Sequence, residues 1–390
     1  MSEGQTLLLI LCLLYLSECI VWVGRRTVLF SSPWGRRWRT SFGSEYLGNP
    51  DGGLALLHPL PPLGSAFLGH WSPMSISPIG VCDLNLQGIG RTVGPCQAGR
   101  VLSYDEISEV AIYGKYVVLN GSRFAKCATV DQAESLAQLI DRVSRESPES
   151  REKMIRESIT AQFNKDEALG RLAQVKGLIP RLRWISSALF LFLYVLAPMM
   201  AVAFGLSLCI IPTAIVMLST AVFIAIRFVP AHRVIYPLRK GDRVSSVVKM
   251  ISCPPVAIRA GDFLTLEAMS RFHPLLLSNL LLGPDESAFP RAVVRDLTYP
   301  LRDQLADPRA VAVGLWYANA QLDACADFLK TAGAKTMNDL LSPPAWDGAS
   351  VAYCPRCLCQ FTIQSGECPD CPGIGLLPLP RTETSEAIHE

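Results

Sequence analysis

Charge is scarce in this chain. Of its 390 residues 18% are Asp, Glu, Lys or Arg and 50% are hydrophobic, with a mean hydropathy of +0.28. Soluble domains carry about 25% charged residues, so the whole chain does not read as an ordinary soluble protein. Its net charge of +2 is near zero, which removes any bulk attraction to nucleic acid. Catalytic signatures are missing too: no HExxH, no P-loop, no Ser-His-Asp order and no complete nucleotide fingerprint. Gly88, Gly90 and Gly94 form a GxGxxxG run, one residue off the dinucleotide pattern, and read as a glycine-rich loop. Cys96 and Arg100 are too close for a cysteine-phosphatase loop, so Cys96 reads as structural. Thirteen cysteines in so long a chain do not make a disulfide scaffold.

What is present is hydrophobic length. Residues 184–229 contain a single charge, Arg227. A membrane-spanning helix needs about 20 apolar residues, so the run predicts two helices back to back. Arg171, Lys176, Arg181 and Arg183 precede it, and Arg227, Arg233, Arg239, Lys240 and Arg243 follow it. The positive-inside rule puts both flanks in the cytoplasm. The turn is expected near 205–212, with Pro212 in the first turn of the second helix and Pro198 kinking the first. Trp184 and Tyr236 occupy aromatic-belt positions. The competing description is a buried hairpin in a large soluble core.

Residues 6–23 form an earlier apolar run. A signal peptide needs a positive n-region, yet here Glu3 comes first and Arg25, Arg26, Arg36, Arg37 and Arg39 come after. The run therefore predicts a membrane helix with its N-terminus outside. Glu18 lies close enough to the inner interface to snorkel.

Between the membrane segments, 24–65 reads as an irregular basic arm rich in Gly, Pro and Ser. Its Trp34, Arg36, Arg37, Trp38 and Arg39 suit lipid headgroups. Short strand-like segments follow at 74–77, 101–110, 111–113, 116–119 and 123–128, with turns at Gly114-Lys115 and Asn120-Gly121. Thr129 to Asp131 opens a helix with Ala133, Leu136, Ala137, Ile140 and Val143 on one face. Antiparallel strands capped by one helix, over 66–145, resemble the bacterial PH-like domains. That resemblance implies lipid, peptide or scaffold roles without choosing among them. Ser147 and Pro148 start a juxtamembrane helix over 147–177, ended by Gly177 and Pro180.

Beyond the hairpin, 240–261 reads as a connector, and 262–333 as a small all-α domain of three helices. Asp262 is its expected first cap, and His273 a packing histidine. The most specific pattern comes last. Cys354-Pro-Arg-Cys357 and Cys368-Pro-Asp-Cys371 are two CPxC pairs on either side of a short hairpin. Two tight turns, each offering two sulfurs, suit a tetrahedral four-thiolate metal site. Over 351–380 the pattern resembles the zinc-ribbon, or rubredoxin-like, modules, which implies Cys354, Cys357, Cys368 and Cys371 as ligands. Cys359 is off register. Zinc is the expected ion and iron the alternative, because spacing does not separate them.

The expected fold class is thus a multidomain α+β membrane protein. It has an N-terminal membrane helix, a PH-like β domain, a helical hairpin, a helical domain and a zinc ribbon. The expected function is a multi-pass scaffold or adaptor of the cell membrane, its soluble regions cytoplasmic, its partners membrane lipid and a protein. The alternatives are an enzyme whose site the sequence hides and an iron-based redox relay.

Overall fold

The computed structural model describes residues 2–23, 27–31, 66–70, 72–83, 100–127, 129–236, 240–282, 288–299, 307–333 and 335–380. The Trp-Arg cluster at 34–39, the glycine run at 88–94 and Cys96 lie outside them, as does the side chain of Glu18.

Helix α1 (Glu3–Val23) leads into strand β1 (Thr27–Ser31), which pairs antiparallel with β2 (Ala66–His70). The arm is therefore not irregular at its start. Strands β3 (Ser75–Ser77), β4 (Gly80–Cys82) and β5 (Val101–Ser103) form one antiparallel sheet in sequence order. Strands β6 (Val110–Tyr113), β7 (Tyr116–Leu119) and β8 (Ser122–Lys126) form another. The first of the strands expected at 101–110 and 111–113 stops at Ser103, and the second begins at Val110. A 3-10 turn at Tyr104–Glu106 lies between them, held by Glu106 accepting from the Ser103 backbone N–H at 2.7 Å. Asn120 and Gly121, with φ of 52° and 72°, make the tight β7–β8 turn, which needs two left-handed residues.

Helix α2 (Val130–Ser144) starts where the Thr129 hydroxyl accepts from the Gln132 N–H, and lies against β6 and β7. Helix α3 (Pro148–Ala161) starts at a Ser147 cap. The expected single helix over 147–177 is broken at 162–164, where Asn164 Oδ1 accepts from the Glu167 N–H and caps α4 (Lys165–Leu191). Neither Gly177 nor Pro180 ends α4. A helix-interior glycine costs about 1 kcal/mol and a proline about 3. Burial of Ala168, Leu172, Val175, Ile179 and Leu182 on one face offsets this, each large side chain contributing about 1.5–3 kcal/mol.

A π turn (Phe192–Leu196) joins α4 to α5 (Ala197–Phe204). It sits where the Pro198 ring would meet the carbonyl four residues back, and the wider turn makes room. The chain reverses at one residue, Gly205, whose φ of 87° favours glycine. Helix α6 (Leu206–Ile235) returns along α4 and α5. Pro212 lies inside α6 rather than in its first turn, because the reversal comes earlier than expected. Gly177–Phe204 and Leu206–Ile235, of 28 and 30 residues, are long and apolar enough to cross a membrane.

The expected connector is largely helical: α7 (Lys240–Ser252) and a short α8 (Pro254–Ala257). Helix α9 (Ala260–Met269) begins two residues before Asp262, with Arg259 at the cap position. Pro274 opens α10 (Pro274–Leu282), and α11 (Ala288–Thr298) and α12 (Pro308–Ala332) follow. Gly333, with φ of 62°, ends α12. A short α13 (Met337–Leu341) precedes the ribbon.

Two apolar clusters organise these elements. The larger draws on α4, the last turns of α6, and every helix from α7 to α13, including Phe228, Leu264, Phe272, Leu276 and Val294. The smaller joins the β sheets to α2 and α3 and takes in Tyr317 and Ala320 from α12. Residues from before and after the hairpin therefore share both cores. Polar contacts repeat the join: Thr129 Oγ1 lies 3.1 Å from Ser270 Oγ, Arg271 pairs with Glu167 at 2.6 Å, and Lys115 approaches Glu267 at 3.8 Å.

Candidate metal centre

The ribbon is built from very short strands. Strands β9 (Ala352–Tyr353), β10 (Gln360–Phe361) and β13 (Leu377–Pro378) form one sheet with β9 at its centre; β11 (Glu367–Cys368) and β12 (Cys371–Gly375) form the second hairpin. Each CPxC pair sits at a hairpin end. In the first, the Cys354 N–H donates to the Cys359 carbonyl and the Leu358 N–H donates to the Cys354 carbonyl, both at 2.9 Å. This tight return forces Leu358 into the left-handed region, φ 68°. In the second, Cys368 pairs directly with Cys371 across the strands.

The two ends bring four sulfurs together. Cys354, Cys357, Cys368 and Cys371 place their Sγ atoms within 4.8 Å of one another, and Cys357 and Cys368 are 3.7 Å apart. Sulfurs about 2.3 Å from a shared tetrahedral ion are about 3.8 Å from each other, so the cluster can bind a metal ion. Among the described residues no other group of three or more His, Cys, Asp and Glu side chains converges this way. Cys359 stands outside the group. Tyr299, Phe361 and Leu376 pack around the sulfurs with Ile374.

The thiols act on one another. Hydrogen bonds from Cys354 and Cys357, aided by the Arg356 guanidinium, pull Cys371 down to about 2. Cys357 is pushed up by its hydrogen bonds to Cys354 and Cys371. Hydrogen bonding to Cys357 lowers Cys354, but the bond to Cys371 and burial outweigh it and carry Cys354 to about 12. A cluster in this state gives up further protons as a cation binds, so affinity rises with pH.

Two arginines and an aspartate that sequence reasoning missed fix the ribbon to the helices. Arg356, inside the first CPxC turn, places one guanidinium nitrogen 3.7 Å from Cys371 Sγ and another 2.9 Å from Asp296 Oδ1 on α11. Both side chains of this pair are almost wholly buried. Arg295, also buried, donates to the Pro355 carbonyl at 2.6 Å and to the Ser342 carbonyl. The cation was visible in the CPRC turn; its partner, sixty residues earlier in an amphipathic helix, carries no local signal.

His273 is where a packing histidine belongs. Its Nδ1 accepts from the Leu275 N–H at 3.1 Å, and its ring stacks on Phe163 at 4.4 Å. Burial holds its pKa down to about 3, partly countered by a hydrogen bond with Gln321. No family model matches the chain, and no curated protein or solved structure is significantly similar to it.

Proposed function

We propose that the chain is a multi-pass membrane scaffold or adaptor that holds a PH-like β region and a zinc ribbon at the cytoplasmic face. The observation that carries this reading is the uneven burial of the hairpin. Its far half exposes Met199, Val202, Phe204, Leu208, Ile211 and Ile215, at 60–81% of their full surface. Along its base, from Ala221 to Ile235, one face packs into the helical core through Ile224, Phe228 and Ile235, while Phe223, Ile226 and Val234 stay exposed on the other. Exposed apolar area on this scale marks a membrane or partner surface, and it weighs against a hairpin buried in a soluble core. Because regions before and after the hairpin share a core, both belong on one side of the bilayer. The Arg and Lys residues at both flanks favour the cytoplasmic side. Helix α1 packs against α8 at the hairpin base and against α5 toward its tip, as a third span with an outer N-terminus would.

Zinc suits a closed four-thiolate site, which leaves no position for a substrate water and so serves structure. The two sheets followed by α2 support the PH-like reading, and lipid headgroups and a protein are the partners we assign. The test is purification from membranes in mild detergent, after washing at alkaline pH. The expected product is colourless, retains zinc, and brings down a defined partner that is lost from a Cys371→Ser variant. Release by the alkaline wash overturns the membrane reading; a coloured, iron-loaded product turns the ribbon into a redox centre.

A further inference from the structure

Helix α7 carries a second apolar surface that neither core covers. Val244, Val248 and Ile251 are 62%, 54% and 39% exposed. Their spacing of four and three residues aligns them in one stripe. The other side of α7 is anchored: Met250 is buried in the helical core and Val247 packs against it. The helix as a sequence holds three basic residues, Lys240, Arg243 and Lys249, against one acid, Asp242.

The contacts place this stripe relative to the hairpin, with α4 as a ruler. Arg271 pairs with Glu167 near the start of α4; Gly261 lies against Ile179 and Arg183; the Ser186 hydroxyl donates to the Ala257 carbonyl. Going backward from 271 to 257, the chain therefore climbs α4 to Ser186, where the exposed apolar half begins. Helix α8 is the apex of that climb and packs on both α6 and α7. Helix α7, joined to α6 by residues 236–239 and lying along it, rises to the same height. Its stripe thus continues the exposed apolar surface of the hairpin at the base.

We infer that α7 is an interfacial helix whose Val244, Val248 and Ile251 stripe sits in the headgroup and acyl boundary of an anionic lipid surface, deepest at Ile251. This rests on the membrane reading of the hairpin. Such helices are amphipathic, basic on their polar side and buried about 5–10 Å into the boundary. The stripe then seats the soluble core on the bilayer and sets its tilt, which the hairpin alone leaves free to rotate.

The test uses the full chain in vesicles of phosphatidylcholine and phosphatidylglycerol, with bromine near the carbonyl end of the acyl chains. Emission added by a new tryptophan is read as the difference from the parent. Ile251→Trp and Val248→Trp are expected to emit at shorter wavelength and to lose roughly half their added emission to bromine, given a burial depth of about 5–10 Å. Ser245→Trp, off the stripe, is expected to lose little. Retained amide protection of the α4–α6–α9 core checks that each variant folds. An Ile215→Trp variant near the hairpin tip, read with bromine deep in the chains, reports on the membrane reading separately. Quenching at Ile215→Trp with none at Ile251→Trp and Val248→Trp overturns the α7 assignment alone. Blue-shifted, unquenched emission at the stripe means that protein covers it, and also overturns the assignment. No quenching at any site overturns the membrane reading itself.

Discussion

Around Cys354 the buried cluster consists of three cysteines and Ile374, edged by Tyr299, Cys357, Phe361 and Leu376. Around Phe228 it runs through more than a dozen Leu, Ile, Val and Phe side chains drawn from α4 to α13. The first has little apolar area to hold its short strands in place, and an ion bound by the four sulfurs would supply what packing does not. The second is ordinary close packing of helices. The two regions meet through Arg356–Asp296 and Arg295–Pro355, so the four-cysteine module is fastened to an apolar one by buried polar contacts.

The largest effect expected is from removing the metal. Structural zinc sites hold about 10–16 kcal/mol of apparent binding energy, which is folding energy. A strong chelator, or Cys371→Ser, should therefore abolish protection of backbone amides over 352–378. The α4–α6–α9 core should keep its protection. Hydrogen exchange on detergent-solubilised protein reads both regions at once. Equal loss in the two would break the contrast and make the ribbon the keystone of the whole fold.

The joint comes next. Removing one member of a buried ion pair strands the other, at a cost of about 3–5 kcal/mol, whereas replacing both with apolar side chains is often nearly neutral. Arg356→Leu should lower the denaturation midpoint of the protein strongly, and Arg356→Leu combined with Asp296→Leu should recover most of it. Failure of the double variant to recover would mean that the contact to Cys371, and not the pair, is what Arg356 contributes.

Acid should separate the regions from the other side. The unperturbed His273 value is 6.5 and burial lowers it to about 3. Below pH 6.5 the unfolded chain takes up a proton that the folded chain refuses, so stability falls by about 1.4 kcal/mol per pH unit down to about pH 3. Above pH 6.5 this contribution is complete and flat. His273→Asn keeps an acceptor for the Leu275 N–H, and its denaturation midpoint should fall less steeply over the same range. Metal loss also occurs in acid, but it affects parent and variant alike, so the difference between them isolates the helical core.

What was legible in the sequence follows the same division. The four clustered cysteines stood out because CPxC spacing is a local statement about turns that offer two sulfurs. The hairpin stood out because 46 residues from 184 to 229 hold one charge, which needs no knowledge of neighbours. The caps at Thr129 and Ser147 and the turn at Asn120-Gly121 were equally local. Two errors were local, at the Asn164 cap that breaks 147–177 and the Ser103–Glu106 turn; the others were tertiary. Helix α4 runs through Gly177 and Pro180 because its buried face outweighs two unfavourable residues. Helix α7 was passed over as connector because three of its five apolar residues face outward. Nothing near Asp296 announces that it pairs with Arg356.

The smallest effect sharpens the comparison from within the ribbon. Leu358 holds φ at 68° because its N–H must reach the Cys354 carbonyl while the Cys354 N–H reaches Cys359. A left-handed conformation costs a non-glycine residue about 1–2 kcal/mol, and glycine adopts it freely. Leu358→Gly relieves that strain, against a smaller cost from the greater conformational entropy that glycine gives the unfolded chain. The net gain expected is about 1 kcal/mol, read as a several-fold slower transfer of metal to a competing chelator. The midpoint of the helical core should not move. Slower transfer would show that the ribbon's backbone is strained by the ligand geometry and held there by the ion. Unchanged or faster transfer would show that the Leu358 side chain contributes packing worth more than its strain, and would bring the ribbon closer in kind to the helical core.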